Sequence, residues 1–188
     1  RLDDGDATAR FASMSPGSIG LNAWIRIAPD STVTFAIHRA EMGQGVTTSL
    51  PMMLAEEMDA DWGRVSYDLA LVDRDYFNFG MVSHGRPFGD IEGRFWAGVG
   101  TSLMRRVFHI SGLSMTLSSA SIIDAYDSLR PAGAAARAML VLAAARRWGI
   151  DADRLKTERS RVIDLATGQS LTYGELAEAA AREHPPAR

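Results

Sequence analysis

The residues best suited to chemistry form one short run, Glu41-Met42-Gly43-Gln44-Gly45-Val46-Thr47-Thr48. It follows a strand-like stretch and opens a helix-like one. Its glycines let the backbone approach a ligand closely, and the first amides of a helix attract anions. Thr47, Thr48 and the Gln44 amide add directional hydrogen bonds. A Walker loop needs Gly-Lys-Ser/Thr, and this run has no lysine. The dinucleotide fingerprint wants a third glycine where Thr48 stands. Two readings remain, a phosphate- or pterin-binding loop and a tight turn with a capped helix. A second run, Ser118-Ser119-Ala120-Ser121, precedes the longest helical signal. It offers hydroxyls and free amides to a phosphate, although an ordinary serine N-cap explains it more simply.

Little else competes. His38, His84, His109 and His184 show no ligand spacing, so no metal site is expected from them. The chain has no cysteine, which removes thiolate ligands, disulfides and thiol nucleophiles together. Glu56 and Glu57 are neighbours on a helix and therefore point apart, as a solvated face would. Asp59 and Asp61 read as a helix-end turn, and Met52, Met53 and Met58 as core. Lys156 is the single lysine among 20 basic residues and lies in a polar stretch expected to be exposed. No nucleophile elbow supports a serine triad. No residue is assigned a catalytic role.

The elements that must hold these runs can be read from periodicity. Residues 1–20 are small and polar and read as an arm. Alternation around Trp24 over 22–28, a Pro29-Asp30-Ser31 turn, and alternation through Val33, Phe35 and Ile37 predict a β-hairpin. Thr47 or Thr48 is the expected cap of a helix ending at Met58, with Pro51 in its first turn. Val65, Tyr67, Leu69 and Leu71 alternate as a strand over 64–72. Residues 78–116, rich in glycine and aromatics, read as a long excursion with a short helix over 99–108. The helical signal over 121–148 is expected to split at Pro131 and Gly133 and to stop at Gly149. A second hairpin is predicted over 161–172, with Thr172 capping a last short helix. The expected class is α+β, a mixed β-sheet with packed helices, because no strict βαβ rhythm is present. The domain reading is an arm over 1–20, a single domain over 21–184, and a tail over 185–188.

With 188 residues, 46% of them apolar and 23% charged, the chain can bury the core of one domain. A net charge of -3 gives no global basic field, so nucleic acid is not an expected partner. No stretch is apolar enough to span a membrane. The chain opens on Arg1, as expected of a processed product or a segment of something longer.

Taken together, several blocks resemble one family. They are Leu21-Asn22-Ala23-Trp24-Ile25-Arg26-Ile27-Ala28-Pro29-Asp30, the glycine run followed by Leu54-Ala55-Glu56-Glu57-Met58-Asp59, Leu129-Arg130-Pro131-Ala132-Gly133-Ala134-Ala135-Ala136-Arg137-Ala138-Met139-Leu140, and Leu171-Thr172-Tyr173-Gly174-Glu175-Leu176-Ala177. Their order over 21–182 resembles the N-terminal part of the large, molybdopterin-binding subunit of isoquinoline 1-oxidoreductase-like enzymes, within the aldehyde oxidase and xanthine dehydrogenase superfamily. The resemblance implies a part-domain of that subunit and places molybdopterin contacts on Gly43, Gln44 and Gly45 and on Ser119, Ala120 and Ser121. The family often has Gly-Gly where this chain has Leu117-Ser118 before the second contact set.

Such enzymes oxidise an aldehyde or azaheterocycle with water as the oxygen source. The resemblance implies molybdopterin as a cytosine dinucleotide, and as partners the remainder of the large subunit, a [2Fe–2S] small subunit and a small aldehyde or heterocyclic substrate. The family's catalytic glutamate lies near the far C-terminus of a much longer subunit, so the isolated chain is expected to be inactive and cofactor-free. The resemblance favours a periplasmic location over a cytoplasmic one. The alternative from the residues themselves is a non-catalytic binding or assembly module without cofactor.

Overall fold

The computed structural model describes residues 11, 13, 15–70, 76, 103, 106, 107, 116 and 120–185. Most of the expected arm, most of the excursion over 78–116 with its helix over 99–108, Leu71 and Val72, and residues 186–188 of the tail lie outside them.

Three short strands open the fold: β1 (Ile19–Asn22), β2 (Ile25–Ile27) and β3 (Val33–Ile37). They pair antiparallel in sequence order, with Ile25 opposite Phe35 and Ile19 opposite Ile27. The stretch read as one strand around Trp24 is therefore two. Asn22 breaks it by accepting the Trp24 amide through its own Oδ1 at 2.9 Å, a side-chain turn that competes with the ladder. Ile19 and Gly20, read from sequence as the end of an arm, belong to β1, and Phe11 is buried in the core.

Helix α1 (Val46–Met58) carries the chain to β4 (Val65–Leu69), which lies parallel to β3 with Val33 opposite Val65. The four-stranded sheet is therefore mixed, as expected of an α+β chain, and contains one βαβ unit that the sequence pattern did not announce. All five β3 residues are buried, Thr34 and Ala36 as well as the alternating Val33, Phe35 and Ile37 read from the sequence. In β4 the alternating apolar residues are not all turned inward, for only Val65 packs partly on the core. Tyr67 and Leu69 face solvent, while Asp68 on the other face pairs with the buried Arg26.

Helix α2 (Ser121–Trp148) runs unbroken for 28 residues, so the expected split at Pro131 and Gly133 is corrected. Pro131 removes one backbone donor and nothing more drastic follows, because packing holds the helix. Gly133 lies so close to α1 that a Cβ there would sit 2.7 Å from Glu57 Cβ and 3.2 Å from Leu54 O. The two helices touch through this glycine and through Leu54, Leu129 and Ala136, all buried. Gly149 ends α2 at φ 66, the left-handed cap that glycine adopts without penalty.

The remaining strands, β5 (Leu155–Glu158), β6 (Arg161–Asp164) and β7 (Ser170–Thr172), form a separate antiparallel sheet. The second hairpin was foreseen and β5 was not. Thr172 caps α3 (Tyr173–Ala180) in a reciprocal capping box with Glu175, as read from the sequence. Tyr173 fastens the start of α3 to the C-terminal end of α1, donating from its hydroxyl to Met58 O, while its amide donates to Ser160 O in the β5–β6 turn at 2.9 Å.

Of the methionines assigned to the core, Met58 is fully buried and Met52 is 54% exposed. That corrects the reading of all three as core: α1 turns Met52 away from α2. Pro51 lies in the second turn of α1 rather than the first.

Candidate functional site

The glycine run stands between β3 and α1, and what holds it is a carboxylate. Neither Thr47 nor Thr48 caps the helix. Gly45 occupies the N-cap position without a side-chain bond, and Glu41 reaches forward to do the capping. One Glu41 oxygen accepts the Gly43 amide at 2.8 Å and the Gly45 amide at 3.0 Å. The other accepts the Thr47 amide at 3.1 Å and the Thr47 hydroxyl at 2.8 Å. Four donors on one carboxylate strongly favour its charged form. The amide of Thr47, then that of Gly45, hold the Glu41 carboxyl down at about 2. The anion expected at this helix start is thus the protein's own.

Gln44 completes the closure. Its Oε1 accepts the Met42 amide at 2.6 Å and its Nε2 donates to Ala40 O at 2.8 Å. The side chain is exposed and folded against its own loop. Gly43 (φ 93) and Gly45 (φ 78) are both left-handed, and a Cβ on either would meet nothing within 4 Å. The glycines therefore serve backbone geometry, and the space outside them is open.

The base of the loop is buried and charged. Arg39 at the end of β3 pairs with Asp124 in the first turn of α2 and donates to His38 O at 3.0 Å. Burial pushes the Arg39 guanidinium down to about 10, against the upward pull of Asp124. His38 is enclosed between aromatic rings, with Trp24 edge-on at 4.8 Å and Tyr76 edge-on to the same indole. Burial first, and Arg39 second, hold the imidazole well below its usual range, so His38 is neutral near pH 7. The Ala40 amide donates to Thr116 Oγ1 at 2.9 Å.

These bonds bring the base of the glycine loop to the start of α2, where the second candidate run lies. Ser119 lies outside the described residues. Ala120 is buried and its carbonyl accepts the first helical bond from Asp124 at 2.9 Å, while Ser121 is half-buried. The N-cap of α2 is Ala120, with no side-chain cap. Among the described residues no group of three or more His, Asp or Glu could hold a metal ion. Lys156 is exposed and paired with Glu158 at 2.7 Å, as its setting suggested.

Sequence reasoning missed Glu41, Arg39 and Asp124. An acid two, four and six residues ahead of Gly43, Gly45 and Thr47 was the available signal for the first. Nothing local marks Arg39 and Asp124, which stand 85 positions apart.

No family model matches the chain. It is 35% identical over 175 residues to isoquinoline 1-oxidoreductase subunit beta of Brevundimonas diminuta, covering 93% of this chain and 18% of that subunit. The chain resembles one part of a large oxidoreductase subunit. It is also 29% identical over 169 residues to a membrane-bound aldehyde dehydrogenase of Gluconacetobacter polyoxogenes, over 90% of this chain and 17% of that protein. The chain thus spans less than a fifth of these curated relatives. The second relative's name specifies pyrroloquinoline quinone, and neither name specifies molybdenum. No helix among the described residues is long and apolar enough to cross a membrane.

Proposed function

We propose that this chain is a segment of a molybdenum-dependent hydroxylase or dehydrogenase that oxidises an aldehyde or N-heterocycle with water as oxygen source. In this reading it supplies part of the molybdopterin cradle, through Gly43, Gln44 and Gly45 and through Ser119, Ala120 and Ser121. The observation that carries the proposal is the loop itself, left-handed at two glycines, open outside them, and tied at its base to the start of α2. Similarity to an isoquinoline 1-oxidoreductase subunit supports the reaction class.

The residues present fit such a group in a particular way. Glu41 already uses the loop's inward amides, so a ligand would be met by the exposed Gln44 amide and by backbone carbonyls. Those groups suit the neutral, donor-and-acceptor edge of a pterin better than a phosphate, which Glu41 would repel. When bound, the cofactor supplies two-electron oxidation of a carbon centre. The chain's own part is to bind and orient it, and no catalytic residue is assigned here. The cytosine dinucleotide form, a [2Fe–2S] partner subunit, the remainder of a large subunit and a periplasmic location belong to the same proposal.

The test is metal analysis and pterin fluorescence of the longer gene product that contains this segment, with and without Gln44→Ala. Near-stoichiometric molybdenum that falls in the variant, with the circular dichroism spectrum unchanged, is the expected result. Unchanged molybdenum in Gln44→Ala refutes the site.

A second reading has its own support. Because Glu41 and Gln44 satisfy the loop internally, the segment can also serve as a cofactor-free binding or assembly module. Absence of molybdenum, pterin and quinone from the purified gene product would establish that reading instead.

A further inference from the structure

The strand order leaves β4 at one edge of the four-stranded sheet. The Ala70 amide donates to Ile37 O at 2.9 Å, and Leu69 stands opposite Ile37 in the parallel register. Successive residues of a strand turn their amides and carbonyls to opposite sides, so Ser66, Asp68 and Ala70 are the residues bonded to β3. Val65, Tyr67 and Leu69 turn theirs outward. The Val65 amide donates to Trp62 O. Those of Tyr67 and Leu69 have no partner among the described residues.

Two other edges are defended. β1 is irregular between Gly20 and Asn22, and the Asn22 side chain donates to Ala132 O at 3.1 Å. β5 carries Lys156 and Glu158 as an exposed ion pair at 2.7 Å. Bulges and charged side chains of this kind keep an edge from pairing. β4 runs in unbroken register without lysine, proline or bulge, and its one charge, Asp68, is drawn back onto Arg26. Its apolar face is also continuous with the core. The register sets Tyr67 beside Phe35 and Leu69 beside Ile37, yet Phe35 and Ile37 are buried while Tyr67 is 45% and Leu69 61% exposed. The apolar face thus extends one strand farther than its cover.

We propose that β4 accepts a fifth strand, supplied from outside residues 1–188 by the same longer polypeptide. The incoming backbone takes the Tyr67 and Leu69 amides and carbonyls, and alternate apolar side chains of that strand lie beside Tyr67 and Leu69. Length and tethering favour this source over a separate protein. The match to isoquinoline 1-oxidoreductase subunit beta takes in 93% of this chain and 18% of that single polypeptide, so most of such a subunit lies outside these residues. Only Tyr67 and Leu69 offer free outward groups, too few bonds to offset the entropy lost when an untethered strand associates. A strand in the same polypeptide is present at an effective concentration on the order of millimolar, which lowers that cost. The inference rests on reading the chain as part of a longer subunit and is independent of the cofactor.

The experiment uses the longer gene product that contains this segment, with molybdenum measured on the same sample. Leu69 is replaced by photoreactive benzoylphenylalanine, and the cross-linked peptide is identified by mass spectrometry. The expected product is a link within one polypeptide, without gain in mass on a denaturing gel, to one extended peptide outside residues 1–188. In the unmodified protein, hydrogen exchange at the Tyr67 and Leu69 amides is expected to be slowed about a hundredfold or more relative to an open strand edge. Tyr67→Pro deletes an outward amide and no bond to β3, and is expected to lower the cross-link yield at least about fivefold. If that variant does not fold, the Leu69 cross-link and the exchange rates decide without it. A link to residues 1–188, to a second copy or to another protein, or free exchange at Tyr67 and Leu69, would overturn the proposal. Absent molybdenum with the link in place would refute the cofactor reading alone.

Discussion

Replacing Arg39 by methionine tests whether a buried ion pair fastens the glycine loop to α2. The Arg39 side chain is fully buried and that of Asp124 only 12% exposed, so methionine keeps most of the volume and removes the charge. The Asp124 carboxylate then loses its guanidinium partner, and the His38 carbonyl loses a donor. Breaking such a pair from one side costs about 3–5 kcal/mol, and the small exposure of Asp124 places the expectation near the lower end, about 3 kcal/mol. For a chain of this length that lowers the unfolding midpoint by roughly 6–12 °C. The double variant Arg39→Met/Asp124→Leu should recover most of the loss, because replacing both members of a buried ion pair by apolar side chains leaves no uncompensated charge. Urea denaturation of the parent, both single variants and the double variant gives the cycle. A loss below about 1 kcal/mol for Arg39→Met, or a double variant no better than the single, refutes the argument.

Further outcomes follow from other contacts. Gly174→Ala would place a Cβ 2.3 Å from Pro29 O and 2.9 Å from Ala28 O, both backbone, so a loss of about 2 kcal/mol or more is expected in chemical denaturation. Tyr173→Phe removes the hydroxyl that donates to Met58 O in the interior and should cost about 1–2 kcal/mol in the same assay. Glu41 has a folded-state pKa depressed from 4.5 to about 2, so its contribution is complete above about pH 4.5 and is lost as pH falls toward 2. Glu41→Gln should abolish that acid dependence and speed hydrogen exchange at the Gly43, Gly45 and Thr47 amides; unchanged protection would refute the capping role. The exposed Met42, Ile122, Ile123 and Tyr126 predict weak self-association of the isolated chain, visible as a concentration-dependent sedimentation coefficient.

What could be read from the sequence was what local chemistry dictates. The Thr172–Glu175 capping box needs only two residues three apart, and Gly149 needs only its own freedom at positive φ. The hairpin over β6 and β7 needs a turn and two short runs. Tertiary packing decided the rest. Pro131 fails to break α2 because the contact at Gly133 holds both sides of it against α1. The parallel pairing of β3 with β4 joins residues 32 positions apart, such as Val33 and Val65, and leaves no mark on either strand alone. Met52 carries the composition of a core residue, yet its place on α1 turns it outward.

The glycine run shows the same division at finer scale. Two glycines before a helix state that the backbone turns left-handed there, and both do. They do not state which anion the freed amides receive. The residue that answers, Glu41, precedes the first of them by only two positions, yet a glutamate before a glycine loop reads as readily as a solvated charge. Its four hydrogen bonds change the meaning of the loop. A cradle with empty amides would recruit any phosphate, whereas one closed by its own carboxylate rejects free anions and keeps its shape without a ligand. Recognition then passes to Gln44, whose amide must exchange two bonds within the loop for two with a partner. That exchange is nearly balanced in hydrogen bonds, so affinity would have to come from ligand contacts beyond the loop. A longer polypeptide supplying those contacts is what the cofactor proposal requires, and titrating Gln44→Ala of the isolated chain with free pterin should accordingly show no measurable difference from the parent.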